Sequence, residues 1–185
     1  YFIQCSAVDT AARKMIFDDS LMGQLIRFVS SHEIGHTLGM QHNFAASSAY
    51  PVDKLRDKDF VKQYGHTSSI MDYCRFNYVA QPEDSIPQQY LFPRIGKYDY
   101  WCIEWGYRLF PEIENPRDER QLLNDWIIEK TTDRYLWFGS GYTGMDPRSQ
   151  SEDLGDNQMV ANSYGIKNLK RIVQNLDYWT AQPNR

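Results

Sequence analysis

The stretch His32-Glu33-Ile34-Gly35-His36-Thr37-Leu38-Gly39-Met40-Gln41-His42 limits what this chain can become more than any other. It holds three of the four histidines in the sequence. On an α-helix, positions i and i+4 share a face one turn apart, so His32 and His36 can offer ring nitrogens to one ion about 2 Å from each. His42 lies too far along a straight helix to join them. The chain therefore has to turn back, and Gly39 permits the left-handed backbone that such a turn needs. Three neutral imidazoles leave the fourth position of a tetrahedral zinc open, the arrangement of a catalytic site. Zinc lowers the pKa of a bound water to about 7 and polarises a carbonyl. Glu33, placed to flank the ion, is then the candidate general base, taking a proton from water and passing it to a leaving amine. The competing reading is three histidines that hold no metal.

The surrounding pattern places this motif on a long helix. Asp18-Asp19-Ser20 gives a start with acidic residues at the positive end of the dipole, and the helix is expected to run through Met40, about 30 Å at 1.5 Å per residue. Leu25, Val29, His32 and His36 would form its inward stripe. Upstream, Phe2 to Val8 reads as a short strand. Residues 43 to 97 are expected to be mostly irregular, broken by Pro51, Pro82, Pro87 and Pro93, with a short helix at Val52–Tyr64. A second helix is predicted over Tyr98 to Leu109, with Tyr98, Trp101, Cys102, Trp105 and Leu109 as its core stripe. Asn115-Pro116 followed by Asp118 and Glu119 reads as N-cap, first-turn proline and acidic first turn, with Leu122, Leu123, Trp126 and Ile127 facing inward. Tyr135 to Phe138 suggests another short strand. The last helix is expected to break near Gly165 and to bury Ile166, Leu169, Ile172, Val173, Leu176 and Trp179.

Ser69-Ile70-Met71-Asp72-Tyr73 follows His42 by about thirty residues. It resembles the methionine turn of the metzincins, where a methionine lies beneath the zinc ligands. A tyrosine at the place of Tyr73 ligates zinc or stabilises the oxyanion in the astacin and serralysin families, so the resemblance implies one of those roles; a buried tyrosine with a satisfied hydroxyl is the alternative. His42-Asn43-Phe44, Arg75-Phe76-Asn77-Tyr78-Val79-Ala80-Gln81-Pro82, Tyr98-Asp99-Tyr100-Trp101, Ile103-Glu104-Trp105-Gly106-Tyr107, Asp146-Pro147-Arg148, Ser151 to Asp156 and Tyr164 to Leu169 resemble one group. It is the bacterial met-zincins, zinc-dependent metalloproteases. Asp99 to Tyr107 is also similar to the helix after the methionine turn in matrixins. Asn43 departs from the better-known metzincins, which carry Asp, Glu or Ser after the third histidine.

The resemblance implies a Zn2+ endopeptidase with His32, His36 and His42 as metal ligands, Glu33 and Tyr73 as catalytic groups, peptide or protein as substrate, and export to the periplasm, cell surface or medium. Metzincins place a twisted sheet ahead of the active-site helix. Too little chain precedes His32 to hold one, so the expected fold is mainly α, an α+β metzincin-like domain lacking most of its upper sheet. The 185 residues would be one domain, part of a longer protein: a strand stub and active-site helix over 1–42, loops with the methionine turn over 43–97, and C-terminal helices over 98–185. With the substrate-aligning strand outside it, such a piece alone would be weakly active or inactive. Two rivals stand beside the peptidase: a non-catalytic, zinc-stabilised assembly module within a larger exported protein, and a zinc hydrolase of a non-peptide amide or ester.

Three further groups bear on the site. Glu104 is an alternative third ligand, as used by gluzincins, but His42 at the metzincin spacing argues against it. His66 reads as an exposed loop histidine. Asp146, Glu152, Asp153 and Asp156 either gather calcium or, as the better reading, form a solvated loop that caps the last helix. A net charge of −4 without a basic run argues against nucleic acid. No apolar run nears the length of a membrane helix. Cys5, Cys74 and Cys102 are odd in number and widely spaced, so buried free thiols are expected.

Overall fold

The computed structural model describes residues 1–141 and 146–181. Among these the chain is all-helical, with α1 (Phe2–Cys5), α2 (Asp19–Thr37), α3 (Lys58–Tyr64), α4 (Lys97–Tyr107), α5 (Pro116–Lys130) and α6 (Gln158–Thr180) joined by irregular segments and 3-10 turns. The two expected strands do not form. Phe2–Cys5 is a single helical turn. Arg134–Leu136 is a 3-10 turn, started by the Asp133 carboxylate accepting from the Tyr135 N–H. Short apolar runs carry too few residues to separate a period of two from one of 3.6. No helix among the described residues is long and apolar enough to cross a membrane.

Helix α2 begins after Asp18, as its acidic start predicts. Its inward stripe is Leu21, Leu25, Phe28, His32 and Gly35, while Val29 is half exposed. The stripe therefore lies to one side of the one expected, and His32 is more deeply set than His36. The helix stops at Thr37, three residues earlier than expected, in a Schellman turn. The Gly39 N–H reaches the His36 carbonyl at 3.0 Å and the Met40 N–H reaches that of Gly35 at 3.1 Å. Gly39 takes φ +85 there, a region that costs a residue with a Cβ.

Helices α4 and α5 follow their sequence signals. Asn115 caps α5 by accepting from the Arg117 N–H, and Pro116 opens it. The two helices meet through half-buried aromatics. Trp101 stacks along Trp105 and tilts against Trp126, and the Trp105 indole donates to the Leu123 carbonyl. Leu109 lies past the end of α4 and is exposed, so it leaves the expected stripe.

Helix α6 runs unbroken through Gly165. A side chain there would approach Tyr78 Cδ2 to 3.0 Å, so the glycine serves close packing and makes no hinge. The buried residues of α6 are Ala161, Asn168 and Ile172, whereas Ile166, Leu169, Val173 and Leu176 are exposed. The expected core face of α6 was thus too wide and displaced. Its true inner face meets loop backbone, which needs donors as much as apolar contact. Asn168 supplies them, its Nδ2 donating to the carbonyls of Tyr78 and Ala80.

The core is built from loops as much as from helices. One cluster joins Leu21 of α2 to Phe76, Leu91 and Phe92. A second joins Tyr50, Leu55, Val79 and Leu154 to Ala161 of α6. A third, Met40, Ile70, Met71 and Tyr98, lies under the end of α2. Cys5 and Cys74 are buried and Cys102 half-buried, all three unpaired as expected. Replacing Asn168 by Ala should cost about 1–3 kcal/mol, because the Tyr78 carbonyl loses its side-chain donor while that of Ala80 keeps Gln81. Urea unfolding measures this; a loss below about 0.5 kcal/mol would show that water reaches the Tyr78 carbonyl.

Candidate metal centre

One end of α2 and the turn beyond it bring the three histidines together. Their ligand atoms all lie within 4.8 Å of one another, the one such His/Cys/Asp/Glu group among the described residues. The Nε2 atoms of His36 and His42 are 3.1 Å apart. His32 is buried, and its Nε2 has no hydrogen-bond partner.

The other ring nitrogens explain this orphan. His32 Nδ1 is 2.8 Å from the Ile70 carbonyl, and His36 Nδ1 is 2.9 Å from that of Met40. A carbonyl only accepts, so each Nδ1 carries the proton and each Nε2 presents a lone pair. A buried, unpartnered lone pair beside two further imidazoles fits a divalent cation, and this nitrogen donor set suits zinc. Burial, then the neighbouring His36 and His32, hold His42 below the ordinary imidazole range, which favours the neutral form that a ligand requires.

Met71 is fully buried beneath the end of α2. It packs so closely under α2 that a Cβ on Gly35 would stand 2.4 Å from its Sδ. Any side chain at position 35 would have to displace the methionine thioether. The Ser69–Ile70 backbone is clamped by Asp99 near the start of α4. That carboxylate accepts from Ser69 Oγ (2.6 Å), the Ile70 N–H (2.8 Å) and the Gly96 N–H (2.7 Å). The chain from Asp99 through Ile70 to His32 is continuous. Burial pushes Asp99 up to about 6 against the pull of these three donors.

Tyr73 is half-buried, and its ring lies against the triad, 4.4 Å from His42 and 5.3 Å from His32 between centroids. Phe44 and the Arg75 guanidinium cover other sides. Arg75 takes a left-handed backbone, as does Glu152, with which it pairs, and the Glu152 N–H bonds the Tyr73 carbonyl. Glu33 is exposed, and its charge is felt at His42.

The sequence profile described as Met-zincin matches residues 14–185. The chain belongs to the Met-zincin family. No curated protein and no solved structure matches it.

Other expectations about this Met-zincin chain change. His66 is not an exposed loop residue: it is fully buried, its Nε2 lies 3.3 Å from the Arg75 carbonyl, and burial lowers it to about 4. Glu104 is exposed and pairs with Arg108, away from the triad. The four carboxylates of the 146–156 segment separate to different partners. Asp146 takes Arg148, Glu152 takes Arg75, Asp153 accepts from Ser47 and Gln158, and Asp156 accepts from the Val52 N–H. They make no calcium nest, and Asp153 is buried where a solvated loop was expected. The side-chain cap of α6 is Asn157. Local spacing does not mark Asp99 or the carbonyls of Ile70 and Met40 as parts of the site, although Asp99 stands within the metzincin-like stretch.

Because Asp99 is raised from 3.8 to about 6 in the fold, its favourable contribution is complete below pH 4. It is lost as pH rises through 6. The stability difference between the natural protein and Asp99→Asn should therefore shrink by about 2–3 kcal/mol between pH 4 and 7 and then level off. Denaturant titrations at each pH measure it; a flat difference would show that Asp99 stays ionised throughout.

Proposed function

We propose that this chain is the metal-binding part of a zinc-dependent endopeptidase, acting on peptides or proteins and exported from the cell. His32, His36 and His42 would hold the ion through their Nε2 atoms. The observation that carries the reading is the pair of Nδ1–carbonyl bonds, which turns the His32 and His36 lone pairs inward. Family membership supports it. Zinc, when bound, supplies a Lewis acid that acidifies water and polarises a carbonyl.

The chain's own groups do the rest. Glu33, exposed on the same helix and electrostatically coupled to His42, takes a proton from the attacking water. As the C–O bond forms and the C–N bond breaks, it returns that proton to the amine nitrogen. The Tyr73 hydroxyl, carried on a ring packed against two of the imidazoles, donates to the oxygen on which charge develops.

In the full-length protein, Glu33→Gln should retain close to one zinc at this site while peptide hydrolysis falls about 10²- to 10⁴-fold. Metal analysis and a peptide assay on the same sample check both. Full activity would place the base elsewhere, and a full-length protein that binds zinc yet cleaves no peptide would favour the assembly-module reading. Tyr73→Phe should lower turnover about 10²-fold with little change in zinc affinity; an unchanged rate would return Tyr73 to a packing role.

A further inference from the structure

His42 differs from the other two histidines in how it is held. His32 and His36 each rest on a backbone carbonyl through Nδ1. Among the described residues no such carbonyl meets His42 Nδ1. Its ring is instead sandwiched, lying parallel to Phe44 (5.4 Å, 17°) and tilted against Tyr73. Its direction therefore depends on the backbone that follows it.

That backbone is fixed by Asn43, fully buried. The Asn43 N–H bonds the Met71 carbonyl at 3.1 Å. Its Nδ2 donates to the Trp137 carbonyl at 2.9 Å, and its Oδ1 accepts from the Gly139 N–H at 3.0 Å. The Phe44 N–H adds a bond to the Gly139 carbonyl at 2.7 Å. The same segment backs the ring that stacks on His42: a Cβ on Gly141 would stand 2.3 Å from Phe44 Cδ2. One stretch from the far half of the chain thus supports both neighbours of the third imidazole.

We propose that Asn43 is a positioning residue that makes the metal affinity of His42 depend on the 137–141 segment. This rests on the three-histidine reading above. An amide is the group that fits, because one side chain must donate to a carbonyl and accept from an N–H two residues apart. Aspartate, the same size, would turn an oxygen toward the Trp137 carbonyl.

The test is zinc affinity by chelator competition, with the visible spectrum of the cobalt-loaded chain, for Asn43→Asp, Asn43→Ala and Gly141→Ala. Asn77→Ala is the control. Asn77 is an equally buried amide that donates to the Leu55 carbonyl and accepts from the Ala80 N–H, away from the triad. The Asn43 and Gly141 variants should bind zinc about 10- to 100-fold more weakly and shift the cobalt bands. Asn77→Ala, at a comparable loss of melting temperature, should change neither. Natural affinity and spectrum in the Asn43 variants, or an equal loss in Asn77→Ala, overturn the proposal alone. A natural protein that takes up neither ion overturns the three-histidine reading and this proposal with it. Asn43→Asp keeps the shape of the residue, so one folded variant remains if the alanine does not fold.

Discussion

Two backbone carbonyls, those of Ile70 and Met40, set the chemistry of this chain. Each accepts an imidazole N–H and so turns the opposite nitrogen toward a common point. Neither bond is strong; a typical one contributes about 1 kcal/mol net. Their value is orientation, and both carbonyls are themselves held. The Met40 carbonyl follows the Schellman turn that ends α2. The Ile70 carbonyl belongs to a backbone clamped by Asp99. A helix end, a methionine turn and the start of α4 are thus joined in one rigid unit beneath the triad.

The rest of the fold solves a different problem. Long irregular segments run through the interior, and buried backbone must find partners. Amide side chains provide them. Gln81 donates to the carbonyls of Val79, Ala80 and Tyr164, Asn77 bridges Leu55 and Ala80, and Asn168 reaches from α6 to Tyr78 and Ala80. Asn43 does the same beside the site. These residues look like loop polarity in the sequence and act as core in the structure.

This explains which parts could be read in advance. Helices α2, α4 and α5 carry their own signals: an acidic start, an aromatic period, and Asn115-Pro116. The triad and Met71 follow from local spacing and motif. What could not be read depends on distant chain. The rotation of the α2 stripe, the burial of His66, the continuity of α6 at Gly165 and the role of Asp99 are decided by loops tens of residues away. The strand expected at 135–138 failed for a related reason: Asp133 caps a tight turn there, and four apolar residues cannot outvote a cap.

The three unpaired cysteines carry a further meaning. A thiolate is a softer and stronger partner for zinc than imidazole. Burial keeps the Cys74 thiol protonated, and Cys5 lies as deep. The folded chain therefore offers the ion nitrogen in preference to sulfur. An opened chain has no such discrimination, since its sulfurs are released to compete. Zinc captured by that opened form offsets part of what the native site gains, so the ion should raise the melting point by less than its native affinity alone would give.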